Sequence, residues 1–362
     1  CVGTAGQALL SGGPGSMPYW GAAGSTVNPA TTATLGTVFG WTSSTCFNSA
    51  LGYWSGNPSM SGANNFAVGN QALISNLTGS NNTAIGQRAL FANTSGVNNF
   101  AVGYCALKNN TIGGSNVAIG CNTLNLNSTG CNNVAIGYTA LQYNCGANNT
   151  AIGYGALNSN QGGVGNVAVG QCALFKNCSG QYNFAFGFAT LGCTNVGSYN
   201  IGIGYTALYA NTSGASNIAL GFAALNANTY GCHNIALGCC VMVYNNTGSY
   251  NTAIGCQALV CNTSGCNNVA LGTLAGAFNT SGNNNVYIGS YNGYATSATS
   301  NNVVLSDGAG AIKIGFTATG AMFVGTSTAY VGAAGQLLQS NGPGAAPTWV
   351  STSSLGIGGG GV

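Results

Sequence analysis

The feature that most constrains this chain is a tetrapeptide ending in glycine that recurs along most of its length. It reads Phe66-Ala67-Val68-Gly69 at its first clear occurrence and Val286-Tyr287-Ile288-Gly289 at its last. Successive terminal glycines are 17 residues apart, except for one interval of 16 between Gly137 and Gly153. A unit this short has room for two short strands and two turns, but it cannot bury its own apolar side chains. Neighbouring units must therefore stack on one another.

The repeat predicts an all-β fold, a parallel β-solenoid (a β-roll) of about 14 or more 17-residue coils with non-repetitive β-rich caps at both ends. We expect an N-terminal cap or docking region at residues 1–60, the solenoid at residues 61–290, and a C-terminal cap with a Gly-rich tail at residues 291–362. At a strand spacing of ~4.8 Å, the marked coils would form a rod of roughly 65–70 Å.

Alternation along each strand predicts which side chains share a face. Val134 and Ile136 point to one side, and Ala135 and Gly137 point to the other. We expect the large pair, together with Leu141, to fill the interior of the coil, and the small pair to form an outer face against which another subunit packs. The recurring Asn-Thr-Ser-Gly segments are typical of turns, and we expect asparagine side chains to bond to one another along the rod.

The Asn-x-Val-Ala-Ile-Gly signature, over about residues 64–290, resembles the head repeats of trimeric autotransporter adhesins, whose coils are shorter. The longer unit, Asn-Asn-Thr-Ala-Ile-Gly-x-x-Ala-Leu-x-x-Asn-Thr-Ser-Gly, is similar to repeats of phage-type tail fibres. Residues 304–315 also resemble the stretch that follows such repeats. The resemblance implies a left-handed coil and three chains in each rod, neither of which follows from the period.

A second repeat occurs once before and once after the predicted solenoid. Residues 6–20 match residues 335–349 at nine of fifteen positions. We expect a hairpin around Gly-Pro-Gly with a tryptophan anchor at each end. Two interpretations stay open: the motifs cap the exposed ends of the solenoid, or they dock one subunit onto the next. The candidate docking residues, which both copies share, are Gly6, Gln7, Leu9, Pro14, Pro18 and Trp20, and Gly335, Gln336, Leu338, Pro343, Pro347 and Trp349.

Charge is almost absent from the chain, and this excludes several partners. The sequence has one acidic residue, Asp307, and four basic ones, Arg88, Lys108, Lys176 and Lys313. Four scattered cations cannot form a phosphate-binding patch, so no nucleic-acid partner is expected. No apolar run approaches the ~18 residues of a membrane-spanning helix. Because little repulsion separates copies of such a chain, self-association is expected.

The same scarcity argues against catalysis. General acid–base chemistry and metal sites need several titratable side chains that converge. The single histidine, His233, and Asp307 lie far apart in the sequence and are interpreted as turn residues. We therefore expect no catalytic residue, no metal and no cofactor, and we do not expect an enzyme.

Two kinds of covalent modification are suggested by the repeat. Cys239 and Cys256 occupy the same phase in adjacent coils, at an expected Cα separation of ~4.8 Å that a disulfide tolerates; burial as small apolar side chains is the alternative. Five sequons recur with the repeat and are candidates for glycosylation, although turn chemistry alone explains their recurrence. Their asparagines are Asn93, Asn127, Asn211, Asn262 and Asn279.

These observations predict a structural, self-assembling fibre protein of a cell surface, an extracellular filament or a virion. The partner is expected to be the chain itself, as a homotrimer, a head-to-tail filament or both. Adhesion to a host-surface glycan or protein is an added role that recurrent surface tyrosines would suit. The alternative is an ice-binding β-solenoid that uses ladders of threonine and asparagine.

Overall fold

The computed structural model describes residues 46–194, 196–293, 298–324, 332–333, 335–342 and 347–355, together with the backbone of three strands before residue 46. Nearly all regular structure is β, and the one short 3-10 helix is Thr352–Leu355. The strands are β1 Gln7–Leu10, β2 Tyr19–Ala22, β3 Gly40–Ser43, β4 Asn48–Leu51, β5 Phe66–Val68, β6 Thr83–Ile85, β7 Phe100–Val102, β8 Val117–Ile119, β9 Val134–Ile136, β10 Thr150–Ile152, β11 Ser159–Asn160, β12 Val167–Val169, β13 Lys176–Asn177, β14 Phe184–Phe186, β15 Ile201–Ile203, β16 Ile218–Leu220, β17 Ile235–Leu237, β18 Thr252–Ile254, β19 Val269–Leu271, β20 Val286–Ile288, β21 Val303–Ser306, β22 Ile312–Phe316, β23 Met322–Phe323, β24 Gln336–Gln339 and β25 Thr348–Ser351.

The recurring tetrapeptides form one long sheet in which each strand pairs in parallel with its counterpart in the next coil. In β16 and β17, for example, Ile218 lies opposite Ile235 and Leu220 lies opposite Leu237. Parallel pairing runs from β4 to β21, so it begins before residue 61 and continues past residue 290. Antiparallel strands flank it, β3 beside β4 and β22 beside β21. The predicted parallel β-solenoid is confirmed, with about 15 turns.

A second sheet is much shorter than expected. Within the described coils, β11 and β13 are the only strands that pair on the other side, over two residues each. Most coils therefore contain one regular three-residue strand, and turns complete the circuit. The expectation of two strands in every coil was therefore wrong for most of the described coils.

The interior of the coil is built from alanine and leucine, which corrects the predicted assignment of faces. Ala135 is fully buried, whereas Val134 and Ile136 on either side of it are only partly buried. Leu141 is fully buried, as predicted. The small residues thus point inward and the β-branched ones point outward, so the small side chains cannot form the subunit face that we expected from the sequence.

Limited space inside the coil is the physical reason for this arrangement. Where Gly202 replaces the strand alanine, an added Cβ would lie 2.6 Å from Thr190 Cγ2, and Thr190 itself stands where most coils have alanine. Where Tyr287 replaces the strand alanine, Gly276 stands in the leucine position, and the Tyr287 ring occupies the space that a side chain there would need. In these two places, a larger inward residue is accompanied by a smaller one.

The glycine that ends each tetrapeptide is required by both conformation and space. Gly153 has a φ of +132°, a region that residues with a side chain rarely adopt. A Cβ on it would lie 2.7 Å from the carbonyl oxygen of Gly170 in the next coil. This column of glycines lets successive backbones approach closely where the chain leaves the sheet.

Two columns of buried asparagines run along the solenoid. In the first ladder, the backbone N and Nδ2 of Asn217 both donate to Oδ1 of Asn200 in the preceding coil, at 3.0 and 3.1 Å. In the second ladder, Nδ2 of Asn228 donates to Oδ1 of Asn211 at 2.9 Å. Asn217 and Asn228 also both donate to the carbonyl oxygen of Gly231, which joins the two ladders within one coil. The expected stacking of asparagines is present, but it lies inside the rod.

The second ladder is broken at one position. Thr194 stands where the neighbouring coils have Asn177 and Asn211, and it is fully buried. Its hydroxyl oxygen has no hydrogen-bond partner, and neither has Oδ1 of Asn177 below it. Because a buried polar group without a partner costs roughly 1–3 kcal/mol, this coil is a local weak point.

We predict that Thr194→Asn stabilises the protein. The new amide would donate to Oδ1 of Asn177 and restore the ladder, which should raise the free energy of unfolding by about 1 kcal/mol. The midpoint of thermal unfolding, followed by circular dichroism, would measure the gain. The matched control is Asn228→Thr, which introduces the same defect into an intact coil and should lower the midpoint. An unchanged midpoint in Thr194→Asn would show that the natural break costs nothing.

Candidate assembly surfaces

The longest surface feature is the outer side of the main sheet. We define the sheet face as the outward side chains of β5–β10, β12 and β14–β20, which flank the inward residue of each strand. Valine, isoleucine, leucine and phenylalanine fill almost all of it, and the exceptions are three threonines. Its first column is Phe66, Thr83, Phe100, Val117, Val134, Thr150, Val167, Phe184, Ile201, Ile218, Ile235, Thr252, Val269 and Val286, and its second column is Val68, Ile85, Val102, Ile119, Ile136, Ile152, Val169, Phe186, Ile203, Leu220, Leu237, Ile254, Leu271 and Ile288.

These side chains remain accessible to solvent. Phe186 is 51% exposed and Ile254 is 41% exposed, and the whole face is at least partly exposed along its length. An apolar surface this continuous is unusual for a soluble monomer and is typical of a protein–protein contact.

The charged side chains lie away from the sheet face. Arg88 donates from Nε to Oε1 of Gln71 at 3.0 Å, in the turn that follows the sheet. Asp307 and Lys313 form an ion pair of 2.8 Å near the C-terminal antiparallel strands. The hydrogen bond from Lys313 lowers the pKa of the Asp307 carboxyl, and the backbone N–H of Ala311 adds to this effect. No charged side chain lies on β5–β10, β12 or β14–β20, so no charge on the sheet face opposes the approach of a second apolar face.

The two terminal motifs adopt the same backbone pairing. In the hairpin β1–β2, Leu9 lies opposite Trp20, and in the hairpin β24–β25, Leu338 lies opposite Trp349. The aligned residues of the two motifs thus share one register, as the expected hairpins require. At the C-terminal copy, the Trp349 ring packs over the backbone of Gly332. The side chains of the N-terminal copy, and residues Gly6, Pro14, Pro18 and Pro343, lie outside the described part of the structure.

The cysteines of the candidate disulfide lie in register. The backbone N–H of Gln257 donates to the carbonyl oxygen of Cys239 at 2.9 Å, which places Cys239 beside Cys256 in the next coil. Both thiols are exposed and free, and Sγ of Cys239 lies 3.4 Å from Sγ of Cys240. A disulfide between Cys239 and Cys256 stays a prediction, for which the adjacent coils provide the required proximity.

Thiol labelling should distinguish the exposed Cys239 and Cys256 from buried cysteines by their rates of reaction. We predict that Cys239 and Cys256 react with a maleimide before Cys105, which is buried. Peptide mass spectrometry at successive times would measure the order. If the native protein already contains the bond, both exposed cysteines should become reactive together only after reduction. Early labelling of Cys105 would contradict the burial of that side chain.

The five sequon asparagines belong to the second ladder. Asn93, Asn127, Asn211, Asn262 and Asn279 are buried, and each donates from Nδ2 to the carbonyl oxygen of the glycine three residues later. The folded coil therefore offers no free amide at these positions. Turn and ladder chemistry accounts for their recurrence, while glycosylation stays untested.

The remaining candidate residues have local structural roles. His233 is exposed and stacks on Tyr250, with ring centroids 4.8 Å apart. Oδ1 of Asp307 accepts hydrogen bonds from the N–H groups of Ala309 and Ala311, which makes it a turn residue as expected. Within the described residues, no group of three His, Cys, Asp or Glu side chains could hold a metal ion. None of the helical structure described is long and apolar enough to span a membrane.

Aromatic side chains form a stacked column beside the sheet face. Tyr138 stacks on Tyr154 at 5.5 Å, and Tyr205 stacks on Phe188 at 5.0 Å and on Phe222 at 5.4 Å. These rings occupy the position that follows the glycine of each tetrapeptide, and they are about half exposed. They pack on one another along the rod and also present their edges to solvent.

Comparison with known proteins gives no further guide to the function. No family model matches the chain, no curated protein matches it, and no solved structure matches it.

Proposed function

We propose that this protein is a structural subunit of a fibre at a cell surface, in an extracellular filament or on a virion, and that copies of it assemble into a rigid rod. The sheet face is the observation that carries the proposal. The buried core of the solenoid is formed by inward alanines, leucines and asparagines, and the sheet face is not part of it. Burial of the sheet face against other copies would stabilise an assembly.

The size of the sheet face suits a stable contact. Fourteen strands at ~4.8 Å give a length of roughly 65 Å, and a width of about 10 Å gives an area of roughly 650 Å². Stable interfaces bury about 800 Å² on each partner, so the sheet face supplies most of such a contact. The resemblance of the repeat implies three chains, and a homotrimer would bury this face on every copy.

Charging the sheet face should prevent lateral assembly. We predict that the double variant Phe184→Glu/Phe186→Glu dissociates the assembly into monomers, because two carboxylates would have to be buried in an apolar contact. The control is Tyr143→Glu/Tyr244→Glu, which adds the same charge at exposed positions on the side of the short second sheet. Sedimentation velocity of the full chain measures the mass, and circular dichroism verifies the fold. Equal masses for the two variants and the native protein would refute the interface.

We further propose that the terminal hairpins join rods end to end. The main sheet itself does not offer a parallel edge at either end, because β3 and β22 cover it with antiparallel strands. A longitudinal contact would therefore use the flanking elements, and the two hairpins with identical register are the matching pair. This role and simple capping are compatible, since a docked neighbour also covers the end.

Loss of a hairpin anchor should shorten filaments without changing their lateral mass. We predict that Trp349→Ala gives discrete short rods in negative-stain electron microscopy, whereas the native chain gives long filaments. The variant Phe184→Glu/Phe186→Glu should instead reduce the side-by-side association of chains before it shortens the filaments. Filaments of undiminished length in Trp349→Ala would show that the hairpins act only as caps.

An ice-binding function has less support. The asparagine ladders are buried and their amides are occupied, so they cannot order water. The hydroxyls of Thr111 and Thr212 donate to carbonyl oxygens of the next coil at 3.0 Å. Between them the same column contains Cys178, which interrupts a regular threonine array.

We propose a mechanical and adhesive role in place of a catalytic one. Asp307 is engaged by Lys313, and His233, in a coil far from Asp307, stacks on Tyr250 of the next coil. Adhesion would use side chains that stay exposed when the sheet face is covered, which the aromatic column and its surroundings would do.

A further inference from the structure

The surface beside the aromatic column contains a cleft that is open to solvent. It has a volume of about 430 Å³ and spans three successive coils. Its lining includes Phe175 and Lys176 from the first coil, Phe188 and Gly192 from the second, and Thr206 and Tyr209 from the third. The volume falls in the range of roughly 300–1,000 Å³ that is typical of small-molecule sites.

A glycine in the lining determines where one aromatic wall of this cleft lies. Gly192 is the only glycine in its column of the described coils, where the neighbouring members are Phe175 below and Tyr209 above. Its φ is not in the left-handed region, so the backbone does not require glycine there. A Cβ on Gly192 would lie 2.9 Å from Cε2 of Tyr209. The glycine therefore makes room for the tyrosine ring, which lies over its backbone.

Two departures from the repeat, Gly192 and Thr194, lie close together in this coil. Gly192, Cys193 and Thr194 are consecutive, and Thr194 is the residue that breaks the second asparagine ladder. Ala189 is a further small residue in the lining, between Phe188 and Gly192. The result is a trough with small residues at its base and aromatic rings on both sides.

The lining determines the chemistry of a ligand. Aromatic rings with few polar groups suit a compact ring that has an apolar face and a polar rim, which describes a pyranose sugar. Lys176 is exposed and is the only charged residue of the lining. The only acid of the chain, Asp307, is paired with Lys313 in another part of the protein. The positive charge beside the cleft is thus not neutralised and favours a carboxylate on the ligand.

We propose that this cleft binds an acidic monosaccharide unit of a surface glycan, with the sugar ring against Tyr209 and Phe188 and its carboxylate at Lys176. The inference deepens the adhesive part of the proposed function. It rests on that function in one respect only, because this coil must stay exposed to solvent in the assembly. The cleft lies on the turn side of the glycine column and not on the sheet face. Assembly through the sheet face would leave it open.

Titration of the full chain with single sugars tests the proposal. The probes are N-acetylneuraminic acid, glucuronic acid and glucose, and saturation-transfer NMR with isothermal titration calorimetry detects binding. We expect the two acidic sugars to bind at least tenfold more tightly than glucose. Absence of binding by both acids would overturn the proposal, whatever the state of assembly, which sedimentation velocity measures separately.

Three variants test whether the sugars bind in the cleft. Gly192→Val displaces the Tyr209 ring that lies over the glycine, and Tyr209→Ala removes this ring, and each should weaken binding of the acidic sugars at least tenfold. Lys176→Gln should reduce their affinity to that of glucose. The matched control is Lys108→Gln, which removes a cation from the same side of a distant coil and should change nothing. Unchanged binding in both Gly192→Val and Tyr209→Ala would overturn the site, and unchanged preference in Lys176→Gln would overturn the acidic ligand.

Discussion

The asparagine ladders are the interaction on which the rest of the structure depends. Most ladder amides close their own coil through a glycine carbonyl and also bond to the coil before it, as Asn228 does with Gly231 and Asn211. A buried amide is costly unless its hydrogen bonds are made, so each coil can form only when a neighbour is in register. The ladders therefore fix both the period and the stacking, and a change of coil length must be accommodated outside them. The 16-residue coil does so, because Asn144 and Asn160 keep their ladder contact at 2.7 Å.

Interior volume is the second constraint, and it explains why the sequence was misread in one respect. The period, the parallel stacking and the terminal hairpins could all be predicted from residues 6–20, the repeated tetrapeptides and residues 335–349. The direction of the strand side chains could not, because we assumed that the larger side chains, such as Val134 and Ile136, fill the interior. A 17-residue coil that must already hold leucine and two asparagines has space only for alanine at that point.

A signal for the correct assignment was present in the repeat itself. The strand position before the alanine varies among valine, isoleucine, threonine and phenylalanine from coil to coil, whereas the alanine position hardly varies. A closely packed interior does not tolerate such differences in volume, but a solvent-facing or partner-facing column does. The exceptions support this interpretation, since Tyr287 is accompanied by Gly276 and Gly202 by Thr190. The cleft at Gly192, in contrast, could not be inferred, because it depends on where the Tyr209 ring lies.

The near absence of charge follows from the different requirements of the coil interior and the sheet face. Inside the coil, polar groups are neutral amides that satisfy one another, and a charge there would need a partner that the repeat does not supply. On the sheet face, a charge would have to be buried if copies associate. The rest of the surface remains, where Arg88 and Lys108 lie in turns and Lys176 lies on the short strand β13. A lone cation in such a chain is not masked by neighbours of opposite sign, so Lys176 affects its surroundings more than a surface lysine of an ordinary protein would. The composition that favours self-association therefore also makes the one cation beside a cleft the strongest electrostatic feature of that surface.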